Sequence, residues 1–420
     1  MKDSRETSMQ ILEDLLKNKN ALSFSSALKN QTIDSAFITM LTLTALRHLV
    51  YIRNILKTLI NKKLSAQHIV GQCALILGAT ELLYMQTPPY AVINTYVSLV
   101  KNKTNHYIAG FVNAVLRQIN NTKENFIAAD KGDFFPQSFR SLLKNDYSSK
   151  TIKDIEKTSI LEPLLDISCI SPDSAQKLTG DVLPLGTIRL KDKGKISNLP
   201  DYQKGTWWVQ DFSAALAVKM LDDIKGKKVL ELCAAPGGKT AQLLSAGAKL
   251  TCLDISQDRL KILSENLNRL QLFPEKIICA DALDFLSDSS ELYDIILLDA
   301  PCSATGTLRR HPEIVHTKTA SDIAKQTALQ QQLLQKADSH LKSNGILLYC
   351  TCSLFKAEGE KQIENFLKNF STYKTINLKP KIPSDLSQIA TPQGWLRILP
   401  FHLKNYGGAD GFFIACLKKG

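Results

Sequence analysis

Apolar residues recur at three- and four-residue intervals early in the chain, in Ile11, Leu12, Leu15 and Leu16 and again in Leu41, Leu43, Leu46, Leu49 and Val50, the spacing of one helix face. From Ile69 to Leu83 almost every residue is apolar or small, which predicts a helix buried on all sides, the centre of a bundle. Pro88-Pro89 interrupts it, and residues 90–100 and 107–119 predict two more helices. Residues 1–125 therefore form an all-α domain. Residues 121–150 are polar and mixed, a connector with some helix. Residues 151–206 are weakly patterned, with short strands at 188–190 and 207–209, so 126–206 is taken as a connector and a small α+β subdomain.

From Lys225 the rhythm changes to strand, turn, helix. Strands are predicted at Val229–Leu232, at Leu250–Leu253 ending in Asp254, around Ile277 and Ile278 leading to Asp281, at Asp294–Leu298 ending in Asp299, and at Gly345–Tyr349. Helices are predicted up to Leu244, from Asp258 to Leu270 and over about 322–342. This alternation predicts a doubly wound parallel α/β sheet over residues 207–420. Ligands bind such sheets beyond the carboxyl ends of the strands. That is where a turn at residues 233–240, Asp254, Asp281, Asp299 and two cysteines, Cys302 and Cys352, all fall.

A chain of 420 residues has room for two or three domains, and its net charge of +12 favours an anionic partner, nucleic acid first; a lysine-rich composition bias is the alternative. Arg47, Arg53, Lys57, Lys62, Lys63, Lys101, Lys103 and Arg117 dot the polar faces of the predicted helices, which as a set points to RNA. Nine cysteines without regular spacing fit a reducing cytosol. The start lacks an apolar signal core and no apolar run reaches the ~18 residues of a membrane span, so a cytoplasmic protein without a membrane partner is expected. Nothing implies an obligate protein partner.

The turn Cys233-Ala234-Ala235-Pro236-Gly237-Gly238-Lys239-Thr240 ends like a phosphate-binding loop, but Cys233 stands where that loop requires glycine. What remains is a small-residue turn that lets a ligand approach backbone and helix N-terminus. Asp254, seventeen residues after Gly237, suits a ribose diol, and Asp281 suits an adenine edge; each is alternatively a helix cap. Three strands leading to Asp after such a turn favour an adenosine cofactor that needs no triphosphate, and S-adenosylmethionine fits. The thiols complete that chemistry. Carbon 5 of cytosine is a poor nucleophile until a thiolate adds to carbon 6, and a second thiol can assist release of the adduct. Asp299, three residues before Cys302, is placed to protonate ring nitrogen 3. Inert packing is the bland alternative for either cysteine; a zinc site lacks the required spacing, and a redox disulfide is disfavoured in the cytosol. The loop Leu308-Arg309-Arg310-His311-Pro312-Glu313 suits a phosphate near the reacting base, or is an exposed turn.

Cys-Ala-Ala-Pro-Gly-Gly-Lys-Thr at 233–240, Asp-Ala-Pro-Cys-Ser at 299–303 and Thr-Cys-Ser at 351–353 resemble the RNA cytosine-5 methyltransferases of the NOL1/NOP2/Sun group. Ile76–Tyr84 and Gly110–Arg117 resemble a NusB-like helical domain, and the combination is similar to the RsmB subfamily, which acts on bacterial 16S rRNA. Trp208–Asp211 and Asp410–Ala415 match further family elements. The resemblance implies an N-terminal NusB-like RNA-binding domain and a C-terminal Rossmann-like methyltransferase domain. It implies Cys352 as nucleophile, Cys302 as the aid to product release, and Asp299 as contact to base and cofactor. It implies that Cys233, Ala234, Ala235, Pro236, Gly237, Gly238, Lys239, Asp254, Asp281 and Asp299 hold S-adenosylmethionine, with Lys239 ordering the network and Phe412 and Phe413 packing near the base-side strands. No metal is implied. Departures are Glu231 in place of Asp, Cys350 in place of a small residue and expected to be structural, a short 151–206 region, and Met40–Thr44 where the family is acidic and aromatic. The same chemistry on tRNA, a non-catalytic RNA-binding or antitermination factor, and a P-loop NTPase are the competing readings.

Overall fold

The structure, a computed structural model, describes residues 4–18, 34–60, 68–171, 177–191 and 194–420. Contacts divide the chain into two compact units, residues 1–144 with 311–318 and residues 145–310 with 319–420, a division that falls elsewhere than residues 125 and 206.

The first unit is helical, with helices Ser4–Asn18, Ser35–Arg47, Leu49–Leu59, Ile69–Tyr84, Pro89–Lys103 and His106–Asn121. Every residue from Cys73 to Leu83 is buried, as a segment apolar on all sides must be. The prolines do more than stop that helix. Pro88 is the cap and Pro89 the first residue of the next helix, where a missing N–H is harmless. A Cβ at Gly78 would stand 2.8 Å from Leu116, so the glycine lets two helices approach closely. Glu81 is wholly buried yet satisfied: Arg5 donates to both its oxygens (2.8 and 2.7 Å) and the Tyr96 hydroxyl donates to one (2.8 Å). Arg47, expected on a polar face, is instead 8% exposed, because its face of Ser35–Arg47 turns inward. Lys62 and Lys63 lie outside the described residues. Helices Lys123–Ala129 and Gln137–Leu143 occupy part of the supposed connector.

The second unit begins with helix Ser149–Ser159 and carries two sheets. In the smaller one, β1 (Asp166–Cys169), β2 (Gly180–Val182), β3 (Ile188–Leu190) and β4 (Trp207–Val209) run antiparallel in the order β2-β3-β1-β4. Asp166 and Arg189 pair bidentately across it (2.6 and 2.7 Å), and Arg189 also donates to the carbonyls of Tyr406 and Gly408. The larger sheet contains β5 (Lys228–Leu232), β6 (Lys249–Asp254), β7 (Lys276–Cys279), β8 (Tyr293–Asp299), β9 (Leu341–Thr351), β10 (Tyr373–Thr375), β11 (Leu396–Ile398) and β12 (Phe412–Lys419). Its order is β10-β12-β9-β8-β5-β6-β7, with β11 also on β12. Strands β5 to β9 are mutually parallel, while β12 is antiparallel to β9, so the sheet is mixed.

Both faces of this sheet are covered, and the strands alternate between them. Ile295 and Leu297 join Val229 and Leu263 in one core layer; Ile296 and Leu298 join Leu333 and Phe366 in the other. Each such burial contributes about 1.5–3 kcal/mol. The predicted helix over 322–342 is corrected to Ala320–Asp338, opened by a Thr319–Asp322 capping box, and β9 starts already at Leu341. The polar run at 342–344 hides that start from periodicity; pairing of Tyr293 with Leu341 creates it. Strand order reverses at β5, flanked by β6 on one side and β8 on the other, which opens a crevice at their carboxyl ends.

Candidate active site

The chain leaves β5 through Cys233, which takes a left-handed conformation (φ 61°), and turns at Gly237 (φ 100°) into helix Gly238–Ser245. Asp254, ending β6 and 1% exposed, holds this turn: its carboxylate accepts from Ala235 N–H and from Ser256 N–H (both 3.0 Å) and pairs with Arg259 (3.3 Å). Asp281 caps helix Ala282–Asp288, with Leu283 N–H (2.7 Å) and Asp284 N–H (3.3 Å) both on Oδ1. The same residue lines the adjoining cavity. Glu231 is buried, with Oε2 bonded by the Thr240 hydroxyl (2.7 Å) and Oε1 without a partner among the described residues; burial pushes its carboxyl up to about 8.

Asp299 ends β8. Its Oδ2 pairs with Lys239 (2.8 Å), and its Oδ1 accepts from the Cys350 thiol (3.4 Å). Burial alone would lower the Lys239 ammonium, but the Asp299 carboxylate outweighs it and holds the group charged. Its Nζ lies 5.1 Å from the centre of the Phe412 ring. Cys350 is fully buried, and burial followed by Asp299 pushes its thiol well up, the setting of an inert side chain.

Register brings the two thiols together. Asp299 is paired with Cys350 between β8 and β9, so the loops after the two strands leave side by side, and Cys302 Sγ lies 3.5 Å from Cys352 Sγ. The hydrogen bond with Cys352, and then burial, pushes the Cys302 thiol well above its ordinary range. Gly306 N–H donates to Cys352 O (2.8 Å), and Gly411 N–H to Gly306 O (2.8 Å).

A cavity of about 440 Å³ is lined by Cys233, Asp254, Asp281, Asp299, Cys302 and Cys352 among others. A second, of about 630 Å³, is lined by Ala234, Pro236, Gly237, Gly238, Lys239 and again Asp299. Ala235 is buried behind them with its N–H on Asp254. The phosphate reading of Arg309 and Arg310 is corrected. Arg309 is 1% exposed, and Arg310 bridges Asp410 (2.9 Å) and Asp211 (2.8 Å), tying Trp208–Asp211 to Asp410–Ala415. Burial pushes Asp410 up to about 6. Sequence reasoning missed the polar support behind the thiols, Ser303, Ser353, Gln330 and Glu358. No spacing rule points to them; only the serines' adjacency to the cysteines is a signal.

Comparison with known proteins follows the same division. A family model described as 16S rRNA methyltransferase RsmB/F matches residues 218–418, and one described as the NusB family matches residues 2–121. Ribosomal RNA small subunit methyltransferase B of Pasteurella multocida (strain Pm70) is 33% identical over 393 residues, 87% of this chain and 84% of its own. The chain belongs to this RsmB/F family. The protein of the same description from Vibrio vulnificus (strain YJ016) is 30% identical and covers 99% of both chains. The family is one of S-adenosylmethionine-dependent methyltransferases. Two solved structures share the fold: PH0851, with TM-score 0.76 at 22% identity over 100% of this chain and 99% of its own, and NSun6 from Pyrococcus horikoshii with SFG, with TM-score 0.57 at 21% identity over 68% and 99%.

Proposed function

We propose that this chain methylates carbon 5 of a cytidine in small-subunit rRNA, in the cytoplasm, through a transient bond between Cys352 and the base. The 3.5 Å approach of Cys302 and Cys352 beside Asp299 carries this reading. At this distance either thiol can donate to the other, and the family resemblance gives the nucleophile's role to Cys352. The cavity supports this cofactor: Asp254 and Asp281 would meet its diol and amine, and Ile255, 67% exposed, and Leu283 would offer apolar contact to a purine. Residues 233–239, Asp254, Asp281 and Asp299 would hold S-adenosylmethionine, which supplies an electrophilic methyl group.

Cys352 adds to carbon 6, and the electron pair moves into the ring. Asp299, paired with the Lys239 ammonium, takes the proton that the Cys352 thiol gives up and passes it to nitrogen 3, where that electron pair arrives. Carbon 5, now enamine-like, accepts the methyl group. The carbon–sulfur bond then breaks as Cys302 gives its proton to the departing Cys352 sulfur and takes up the carbon 5 proton, and the nitrogen 3 proton returns to Asp299. Residues 1–125 are assigned to RNA binding, 126–206 to a connector and small subdomain, and 207–420 to methyl transfer. The test is Cys302→Ala expressed in cells. It should remain linked to RNA through Cys352, and sequencing the RNA recovered with denatured protein should return one small-subunit rRNA site, absent when Cys352 is also replaced. No adduct with unchanged methylation overturns the two-thiol assignment, and a tRNA adduct overturns the rRNA substrate.

A further inference from the structure

Ser303 follows Cys302 and Ser353 follows Cys352, and one carboxylate ties both serines. Glu358, fully buried, accepts from Ser303 N–H at Oε1 (2.8 Å) and from the hydroxyls of Ser303 and Ser353 at Oε2. Gln330 Nε2 donates to the same Oε1 (3.3 Å) and to Pro301 O (2.8 Å), beside Cys302. The glutamate is itself held against β9, because its backbone carbonyl accepts from the Tyr349 hydroxyl (2.8 Å) and Thr351 Oγ1 (3.3 Å). A fully buried carboxylate is expensive to keep, and here the compensation is hydrogen bonds converging from both thiol-bearing loops. Replacing it by an apolar side chain would leave those donors buried and unsatisfied.

We propose that Glu358 is a positioning residue: one carboxylate clasps the residue after each thiol and so sets the separation of Cys302 and Cys352. The proposal rests on the two-thiol reaction above. Glu358 lines neither cavity, so it acts through the loops and touches neither cofactor nor base. Misplacement of reacting groups by about 1 Å costs on the order of a hundredfold in rate.

The test uses the full chain with Glu358→Ala, Glu358→Gln and the double variant Ser303→Ala/Ser353→Ala. Glutamine can accept from Ser303 N–H and donate to both hydroxyls, which rotate to accept, so it should restore most of the activity. Alanine should lower kcat by about a hundredfold with KM for S-adenosylmethionine unchanged. Phenylarsine oxide, which bridges two close thiols, supplies a readout without turnover. Mass spectrometry should find the Cys302–Cys352 bridge in the wild type and the glutamine variant, and its loss in the alanine and double-serine variants. If the alanine variant fails to fold, the double-serine variant carries the same prediction. Wild-type kcat and intact bridging in both would overturn the clasp, as would a parallel loss of kcat, cofactor affinity and thermal stability in every variant, glutamine included. If the wild type methylates no RNA while bridging still depends on Glu358, the reaction falls and the clasp stands.

Discussion

Glu231 stands on β5 where the related sequences are expected to carry Asp, and its carboxylate accepts from the Thr240 hydroxyl. With the folded-state value near 8 and an unfolded value near 4.5, the folded protein binds the extra proton between those limits. Stability must therefore fall as pH rises through that window. We expect thermal unfolding measured from pH 6 to 9 to show a smaller loss in Glu231→Gln than in the wild type; equal losses would mean Glu231 stays ionised. The candidate site residues were readable one by one. Asp254, Asp299, Cys302 and Cys352 stand out because their positions at strand ends restrict what they can do. Glu358 was not readable, since a buried carboxylate and a solvated one look identical in a sequence. Arg309 and Arg310 misled for the same reason: a basic pair in a loop reads as a phosphate contact until Asp211 and Asp410 are seen beside it.

Among elements, β6 and β8 were legible because each is a largely buried, largely apolar run that ends in Asp, and β5 and β7 as shorter apolar stretches, although β7 is mostly exposed. β9 was half legible. Its apolar part at 345–349 was found, but its first residues are defined by the partner strand. The antiparallel addition of β12 was invisible, because strand direction leaves no trace in periodicity. That addition matters, since it brings Gly411 against Gly306: a Cβ on Gly306 would lie 1.8 Å from Gly411 O and 2.9 Å from Cys352 O. Gly306→Ala must push the loop after Cys302 away from Cys352. The expected cost is about 1–3 kcal/mol in unfolding experiments, with methyl transfer lost more severely than stability. Unchanged transfer would show that the two loops move together.

Over the whole molecule the net charge is +12, and Lys57, Lys101 and Arg117 are exposed on the helical unit. If these contact RNA phosphates, changing all three to Ala should lower the slope of log affinity against log salt by about 2, at roughly 0.7 for each single-strand phosphate contact. An unchanged slope would remove these three from the interface. The sequence by itself determined the two architectures, the helical half and the α/β half, because hydrophobic periodicity is set locally along the chain. It also determined the candidate nucleophiles and cofactor residues, because loops after parallel strands share one end of the sheet. Tertiary structure alone decided that Cys302 and Cys352 approach to 3.5 Å, that residues 311–318 group with the helical unit, and which charged groups are buried partners. Those depend on register and on contacts between residues far apart in sequence, and such contacts have no period to read.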